Sequence, residues 1–382
     1  MSHTNLIYLD HAAATPLDAE VLAAMQPYFS AQFYNPSATY LPAQQVRKDL
    51  EAARSRVAHW VGARPSEIIF TAGGTEANNL AIHGILQAWP DGHVVTSAIE
   101  HESVLAPAAQ YSHSTAPVDA HGIVRVDALL ECITDTTVLV SVMYANNEVG
   151  TIQPLKTITQ AIRDLRERRR QAGNTRPLYV HTDAAQAGNY LDLHAARLGV
   201  DLMTINGGKL YGPKQSGVLY VSAGIVLQPL VLGGGQERNL RSGTENVAGS
   251  IGLAAALERA QTNRHDETYR LQLLQNQFIA LLSAAIPSVT INGSLKHRLP
   301  NNVHITLPGQ DNERILYGLD EAGVLAAAGS ACSASNEEPS HVLRAMGITA
   351  ADAQSSLRFT MGRETREADI AKTVAILATL VA

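Results

Sequence analysis

The chain has 382 residues, of which 46% are hydrophobic and 17% charged, and its formal net charge at pH 7 is −6. This length and composition predict a globular protein with a sizeable core divided into two or three domains. The net charge is weakly negative, so the composition gives no sign of the basic surface that binds nucleic acid or an anionic membrane.

The N-terminal segment and the cysteines indicate a cytoplasmic protein. MSHTNLIYLDHAAATP lacks a basic region followed by an apolar run, and no later stretch approaches the about 18 apolar residues of a membrane span. The two cysteines, Cys132 and Cys332, are widely separated, which excludes a disulfide framework or a metal cluster. Each thiol therefore needs its own explanation.

Short β-branched runs alternate with helical patterns through the first two thirds of the chain. This rhythm predicts an α/β fold in which helices wrap a mostly parallel sheet. The predicted strands are Ile68 to Phe70, His93 to Thr96, Val138 to Met143, Leu178 to Thr182, Val200 to Ile205 and Val218 to Val221.

The pattern changes in the last third of the chain. A long helical stretch, Ile251 to Ile286, precedes shorter strands and helices. We therefore expect a large domain over residues 15–258 and a smaller α+β domain formed by residues 1–14 and 259–382. The basic run Arg163 to Arg170, further upstream, is predicted to form a solvated helix face.

A glycine turn that opens a helix, TAGGTEANN at residues 71–79, follows the first predicted strand directly. Its unpaired backbone N–H groups and the positive end of the helix dipole suit a phosphate group. The same pattern is also typical of a plain tight turn, and alone it does not decide between the two.

Two polar side chains follow strands at the sheet edge where open α/β folds collect ligands. A buried carboxylate at Asp183 requires a cation, such as a protonated pyridine nitrogen, unless it caps a following helix. Lys209 lies among glycines after the next strand, where loss of hydration favours a neutral amine that acts as nucleophile and base. Lys214 has similar neighbours, but the proline before it favours Lys209.

The surroundings of the two cysteines differ. Cys332 lies in AAAGSACSASN, a stretch of small residues without helical periodicity, for which we expect a mobile loop. A thiol in such a loop is poorly placed for core packing, and this favours a catalytic role. Cys132 lies within a helical apolar pattern, and we expect it to serve packing alone.

Eight segments, in chain order, resemble the cysteine desulfurase family, the NifS/IscS-like branch of the class V aminotransferases on the fold-type I pyridoxal-phosphate (PLP) scaffold. The resemblance covers nearly the whole chain and implies a seven-stranded, mostly parallel sheet. The segments are YLDHAAATP at 8–16, AGGTEANN at 72–79, EH at 100–101, NNEVG at 146–150, HTDAAQ at 181–186, GGKLYGPK around Lys209, RSGTEN at 241–246 and GSACSAS around Cys332.

This resemblance implies an enzyme that converts L-cysteine to L-alanine with PLP as cofactor. Lys209 would bind the cofactor covalently, His101 would stack on its ring and handle protons, and Cys332 would receive the sulfur as a persulfide. Asn147 and Arg358 would bind the substrate. The cofactor contacts implied besides Lys209 and His101 are Gly74, Thr75, Asn147, Asp183, Gln186, Asn206 and Thr244.

The resemblance also implies partners. Thr244 would reach the phosphate in the neighbouring subunit, which predicts a homodimer. The persulfide would pass to a sulfur-acceptor protein, either an iron–sulfur scaffold or another sulfur-relay protein.

Two positions depart from the pattern of the family. Gly208 stands where its members usually carry histidine, and Asn206 stands where they carry serine or threonine, although an asparagine amide can still donate a hydrogen bond to the cofactor. Selenocysteine lyase or another class V reaction is the nearest alternative function. The two departures also keep open a partner subunit that binds sulfur-transfer proteins without turnover.

Overall fold

The computed structural model describes residues 6–329 and 339–382. No helix in these two ranges is both long and apolar enough to cross a membrane. The helices are α1 (Ala19–Met25), α2 (Pro27–Ser30), α3 (Leu41–Val61), α4 (Gly74–Ala88), α5 (Glu102–Ala108), α6 (Val126–Glu131), α7 (Leu155–Gln171), α8 (Ala195–Leu198), α9 (Val247–Thr262), α10 (Arg264–Ala285), α11 (Asn312–Glu321), α12 (His341–Ala345), α13 (Ala350–Ala353) and α14 (Glu367–Val381).

The strands form one large and two small sheets. They are β1 (Ile7–Tyr8), β2 (Ile68–Thr71), β3 (His93–Ser97), β4 (Ser112–Ala116), β5 (Thr137–Ser141), β6 (Tyr179–Asp183), β7 (Leu202–Asn206), β8 (Gly217–Val221), β9 (Thr290–Ile291), β10 (Asn302–Thr306), β11 (Val324–Leu325) and β12 (Ser356–Thr360).

The large sheet has seven strands in the order β2-β8-β7-β6-β5-β3-β4. The pairs among β3, β4, β5, β6 and β7 are parallel, whereas β8 is antiparallel to both of its neighbours. The predicted mostly parallel, seven-stranded α/β sheet is therefore confirmed. The strand that the sequence did not predict is β4, whose residues SHSTA are largely exposed at the sheet edge.

Helices cover both faces of this sheet, and the strands are accordingly apolar on both sides. Successive strand residues belong to different core clusters. Val94 and Leu139 pack with α4 on one face, whereas Val95 and Val140 pack with α3 and α9 on the other. The helices on the two faces hold the parallel strands side by side. The carboxyl ends of these strands therefore lie at one edge of the sheet.

A separate core lies under the last third of the chain. It contains α10, α11 and α14 together with β10 and β12, and residues of the N-terminal strand β1 pack into it. Phe278 of α10 meets Phe359 of β12 edge-on, with ring centroids 5.3 Å apart. The predicted domain boundaries at residues 14/15 and 258/259 stay a prediction.

The long helical stretch predicted over Ile251 to Ile286 is formed by two helices, α9 and α10, which meet at Asn263. The solvated face predicted for the basic run of α7 fails at Arg169, which is 8% exposed and donates to the carbonyl of Thr137 at 2.9 Å. Its long side chain reaches past the helix and satisfies the backbone of β5.

Candidate active site

A cavity of about 160 Å³ opens at the carboxyl ends of the central strands, where the fold class places ligands. It brings together nine of the residues singled out from the sequence. These are Gly74, Thr75, His101, Asn147, Asp183, Gln186, Asn206, Lys209 and Arg358.

The first turn of α4 forms one wall of this cavity. Its cap, Gly73, has φ 135° and offers no side-chain hydrogen bond to the helix, so the first N–H groups of the helix lack a side-chain cap. β8 approaches closely behind the turn, because a Cβ on Gly217 would lie 2.6 Å from the carbonyl carbon of Gly73. Backbone N–H groups at the start of a helix suit a phosphate.

Asp183 ends β6 at the bottom of the cavity and is 7% exposed. Its Oδ2 accepts a hydrogen bond from Nδ2 of Asn78 at 2.7 Å, and its Oδ1 accepts one from the amide of Ala185 at 2.9 Å. The second bond closes a turn, so the alternative role as a helix cap is not realised. The carboxylate is thus fixed with its charge facing the cavity.

Asn78 was not predicted as a site residue. It lies one helical turn after Gly74 on the face of α4 that lines the cavity. The spacing of four residues within the glycine-turn motif could have indicated it, since such residues share a helix face.

His101 caps the N-terminus of α5. Its Nδ1 accepts from the amide of Ser103 at 3.1 Å and lies 2.8 Å from the hydroxyl of the same residue. Because a backbone N–H can only donate, the proton of the neutral ring is assigned to Nε2. The Ser103 hydroxyl also accepts from Asn78 at 2.9 Å, so a continuous chain of hydrogen bonds joins His101 to Asp183.

Beside His101, the carboxyl group of Glu100 is fully buried. Its Oε1 accepts from the amide of Met143 at 2.8 Å and from the hydroxyl of Ser97. Burial, with a smaller contribution from the nearby charge of Asp183, raises the pKa of Glu100 to about 8. The group is therefore predominantly a neutral acid at pH 7.

Lys209 is the last residue of a 3₁₀ turn that follows β7. Its Nζ donates to the carbonyl of Ala12 at 2.7 Å and to that of Ala13, while its own carbonyl accepts from Asn189 at 2.7 Å. Lys214 instead donates to the carbonyl of Thr15 and is not among the residues that line the cavity in the described ranges. The geometry favours Lys209 over Lys214.

Arg358 extends from β12 into the cavity wall and is 1% exposed. Its Nη1 donates to the carbonyl of Asn147 at 3.0 Å, and its Nη2 donates to Oδ1 of Asp10 at 2.7 Å. Asp10 belongs to the YLDHAAATP motif and was not predicted as a site residue. In the same motif, the carbonyl of Ala12 accepts a hydrogen bond from the side-chain amide of Gln186 at 3.0 Å.

Thr244 is the predicted site residue in the described ranges that does not line this cavity. Thr244 is exposed, three residues after Arg241, which pairs with Glu76 in the first turn of α4 at 2.9 Å. Cys332 lies outside the described residues. The other thiol, Cys132, is the C-cap of α6 and packs, partly buried, against the main core, in agreement with a packing role, and burial raises its pKa.

The family profile described as aminotransferase class-V matches residues 7–372. The chain belongs to the class V aminotransferase family. Within that family, a cysteine desulfurase IscS from Dictyoglomus turgidum is 40% identical over 97% of this chain and 93% of its own length. The predicted resemblance to the cysteine desulfurase branch is thereby confirmed.

Two solved structures have the same fold over nearly the whole chain. A NifS-like protein superposes with a TM-score of 0.90 at 28% identity, over 98% of this chain and 99% of its own. A structure described as SspA in complex with cysteine superposes with a TM-score of 0.80 at 32% identity, over 93% of this chain and 98% of its own.

Proposed function

We propose that this chain is a cysteine desulfurase that converts L-cysteine to L-alanine and takes the sulfur on Cys332 as a persulfide. One observation carries the proposal. The Lys209 amine, the Asp183 carboxylate and the Arg358 guanidinium line a single cavity in a chain whose relatives are named cysteine desulfurases.

The residues present fit PLP. Asp183 offers a buried carboxylate to a protonated ring nitrogen, Lys209 offers the amine, and the start of α4 with Gly74 and Thr75 offers N–H groups to the phosphate. The remaining contacts to the cofactor in this proposal are His101 on the ring face, Asn147 and Gln186 at the ring oxygen, and Asn206 near the phosphate. When bound, PLP withdraws electrons from the α-carbon of the substrate.

The side chains of this chain then divide the work. Arg358 binds the substrate carboxylate, and Lys209 takes the proton from the α-carbon. The Cys332 thiolate attacks the substrate sulfur, so that an S–S bond forms and the carbon–sulfur bond breaks. The β-carbon keeps the electron pair and takes a proton, and Lys209 returns a proton to the α-carbon, which yields L-alanine, while His101 handles the thiol protons.

The proposal includes a homodimer and a protein acceptor in the cytoplasm. The exposed Thr244 would reach the phosphate in the neighbouring subunit. Apolar side chains are exposed on the segment leading to it, including Val226 at 63% and Leu232 at 82%, which suits an interface between copies. The acceptor would be an iron–sulfur scaffold or another sulfur-relay protein.

The proposed function is tested by incubating PLP-loaded protein with L-cysteine and measuring L-alanine and protein-bound persulfide together. We expect both products from the native chain and from Cys132→Ser, and neither from Cys332→Ser, since a hydroxyl is a far poorer nucleophile toward sulfur. If Cys332→Ser formed alanine and free sulfide at the native rate, the persulfide reaction would be wrong. The chain would then be a lyase that releases sulfide directly.

The same assay addresses the alternatives. A native chain that binds PLP but forms no alanine would favour the partner subunit without turnover. A strong preference for L-selenocysteine over L-cysteine would favour selenocysteine lyase.

A further inference from the structure

The N-terminal motif contacts the guanidinium of Arg358 through Asp10. We propose that Asp10 is a positioning residue, which fixes Arg358 so that the free donors of its guanidinium receive the substrate carboxylate. This inference rests on the proposed function, because it deepens the role given there to Arg358.

The hydrogen bonds of Arg358 leave part of its guanidinium group available to a ligand. Nη2 is bound to Asp10 at 2.7 Å and Nη1 to the carbonyl of Asn147 at 3.0 Å. Nε is buried and has no hydrogen-bond partner among the described residues. A guanidinium has five N–H donors in one plane. Two of them set the orientation of the plane, and the others stay available to a carboxylate.

Asp10 is itself rigidly held. The amides of His11 and Ala12 donate to the carbonyl and the hydroxyl of Thr360 at 3.2 and 2.9 Å. The single hydroxyl proton of Tyr8 is shared between the carbonyls of Asp10 and Ala14, whose oxygens each lie 2.9 Å from the hydroxyl oxygen. Thr360 lies two residues after Arg358 on β12, so Asp10 and Arg358 are fixed to the same strand.

The charges around Arg358 also require an anion. His304 lies opposite Arg358 in the β10–β12 pair, and burial together with the charges of Arg298 and Arg358 lowers its pKa to about 3, so that it is neutral. Among the described residues, Asp10 is the carboxylate that forms an ion pair with Arg358. A buried guanidinium without a counter-charge is strongly disfavoured. Asp10 stabilises the Arg358 guanidinium before the substrate arrives, and it occupies one side of that group.

The same motif also holds the amine of the cavity, because the carbonyl of Ala12 accepts a hydrogen bond from Lys209 at 2.7 Å. The substrate must place its carboxylate at Arg358 and its amine near Lys209 at the same time. The short stretch from Asp10 to Ala12 therefore sets the spacing of the two groups that recognise the amino-acid end of the substrate.

The test uses PLP-loaded protein and follows cofactor absorbance during titration with L-alanine, and in parallel with ethylamine, which has the amine but lacks the carboxylate. Loss of a charge-assisted hydrogen bond predicts that Asp10→Ala weakens L-alanine binding about ten- to hundredfold. Ethylamine binding should change by less than about twofold. Asp10→Asn keeps the acceptor oxygen and should weaken L-alanine binding about fivefold, and it supplies the test if Asp10→Ala does not fold.

A double-mutant cycle separates positioning from general damage. In an Arg358→Ala background, Asp10→Ala should weaken L-alanine binding no further. Asp18→Ala is the matched control, since Asp18 also pairs with arginines near the same motif but lies away from the cavity, and its L-alanine affinity should equal that of the native chain.

Unchanged L-alanine affinity in Asp10→Ala, equal losses for L-alanine and ethylamine, or additive losses in the double variant would each overturn the inference. L-alanine binding requires neither Cys332 nor sulfur chemistry. A chain that binds L-alanine through Asp10 and Arg358 but makes no persulfide would therefore contradict the desulfurase proposal and leave this inference intact.

Discussion

Arg54 and Glu237 form a buried ion pair with two bonds, Nη1 to Oε2 at 2.7 Å and Nη2 to Oε1 at 2.8 Å. The carboxylate also accepts from the amide of Phe70 at 2.9 Å, and the guanidinium donates to the carbonyl of Ile68 at 3.0 Å. Because β2 is an edge strand of the large sheet, the pair satisfies backbone groups that would otherwise form an exposed edge.

Removing one partner of this pair should destabilise the protein strongly. Both side chains are only 4% exposed, so Glu237→Gln leaves the buried Arg54 with the half-exposed Glu51, 3.1 Å from its Nε, as its counter-charge, and we expect the free energy of unfolding to fall by about 3–5 kcal/mol. Urea denaturation measures it. The control is Glu258→Gln, which breaks the exposed Arg56–Glu258 pair and should cost no more than about 1 kcal/mol. If Glu237→Gln lowered the free energy of unfolding no more than Glu258→Gln does, the buried pair would be dispensable.

Lys209→Ala should abolish covalent attachment of PLP, and Lys214→Ala should keep it. Both amines donate to backbone carbonyls of the N-terminal motif, but Lys209 alone of the two lines the cavity. Borohydride reduction followed by peptide mapping locates the label. A label on Lys214 in the native chain would contradict the assignment.

Stability should depend on pH through Glu100. Its pKa is raised to about 8 by burial, from an ordinary value of 4.5, so the folded chain keeps a proton that the unfolded chain releases. The stability gained from this proton is complete below about pH 4.5 and is lost as pH rises through about 8.

Glu100→Gln mimics the neutral acid, so its stability relative to the native chain should improve by about 3 kcal/mol between pH 5.5 and 8.5. Urea denaturation across this range gives the values. Glu102→Gln is the control, because Glu102 is 62% exposed and should show no such trend. Parallel pH profiles for Glu100→Gln and the native chain would mean that Glu100 is ionised in the folded state.

Asn78→Asp should weaken retention of PLP. The new carboxyl would stand at hydrogen-bond distance from Asp183, and two adjacent carboxylates cannot both ionise easily, so Asp183 would lose part of the charge offered to the ring nitrogen. Asn79→Asp, one position along the same helix, should retain PLP normally, since Asn79 bonds to the carbonyl of Thr75 and not to Asp183. PLP content after dialysis measures the difference.

Sequence patterns predicted the strands that are apolar on both faces, and they failed where an element lacks that signal. β4 is polar because it forms an exposed edge. The break between α9 and α10 at Asn263 involves neither proline nor glycine, so the helical pattern continues across it. Arg169 is buried by the reach of its side chain, which helical periodicity does not describe.

The candidate site was predicted where a motif places a reactive group at a strand end, as for Asp183 and Lys209. The supporting hydrogen bonds were not predicted. Asn78 and Ser103 connect α4 and α5 across the cavity, and Asp10 reaches Arg358 across the fold. Such contacts depend on how distant elements pack, which no local spacing indicates.

The contact between Asp10 and Arg358 joins residues 348 positions apart. A ribosome that adds about 5–20 residues per second needs roughly 17 to 70 s to make that stretch. The strands of the large sheet are all synthesised well before β12, so a nascent chain can acquire the lysine and the carboxylate of the cavity while its recognition of the substrate carboxylate is still missing. Amino-acid binding is therefore among the last properties that the growing polypeptide gains.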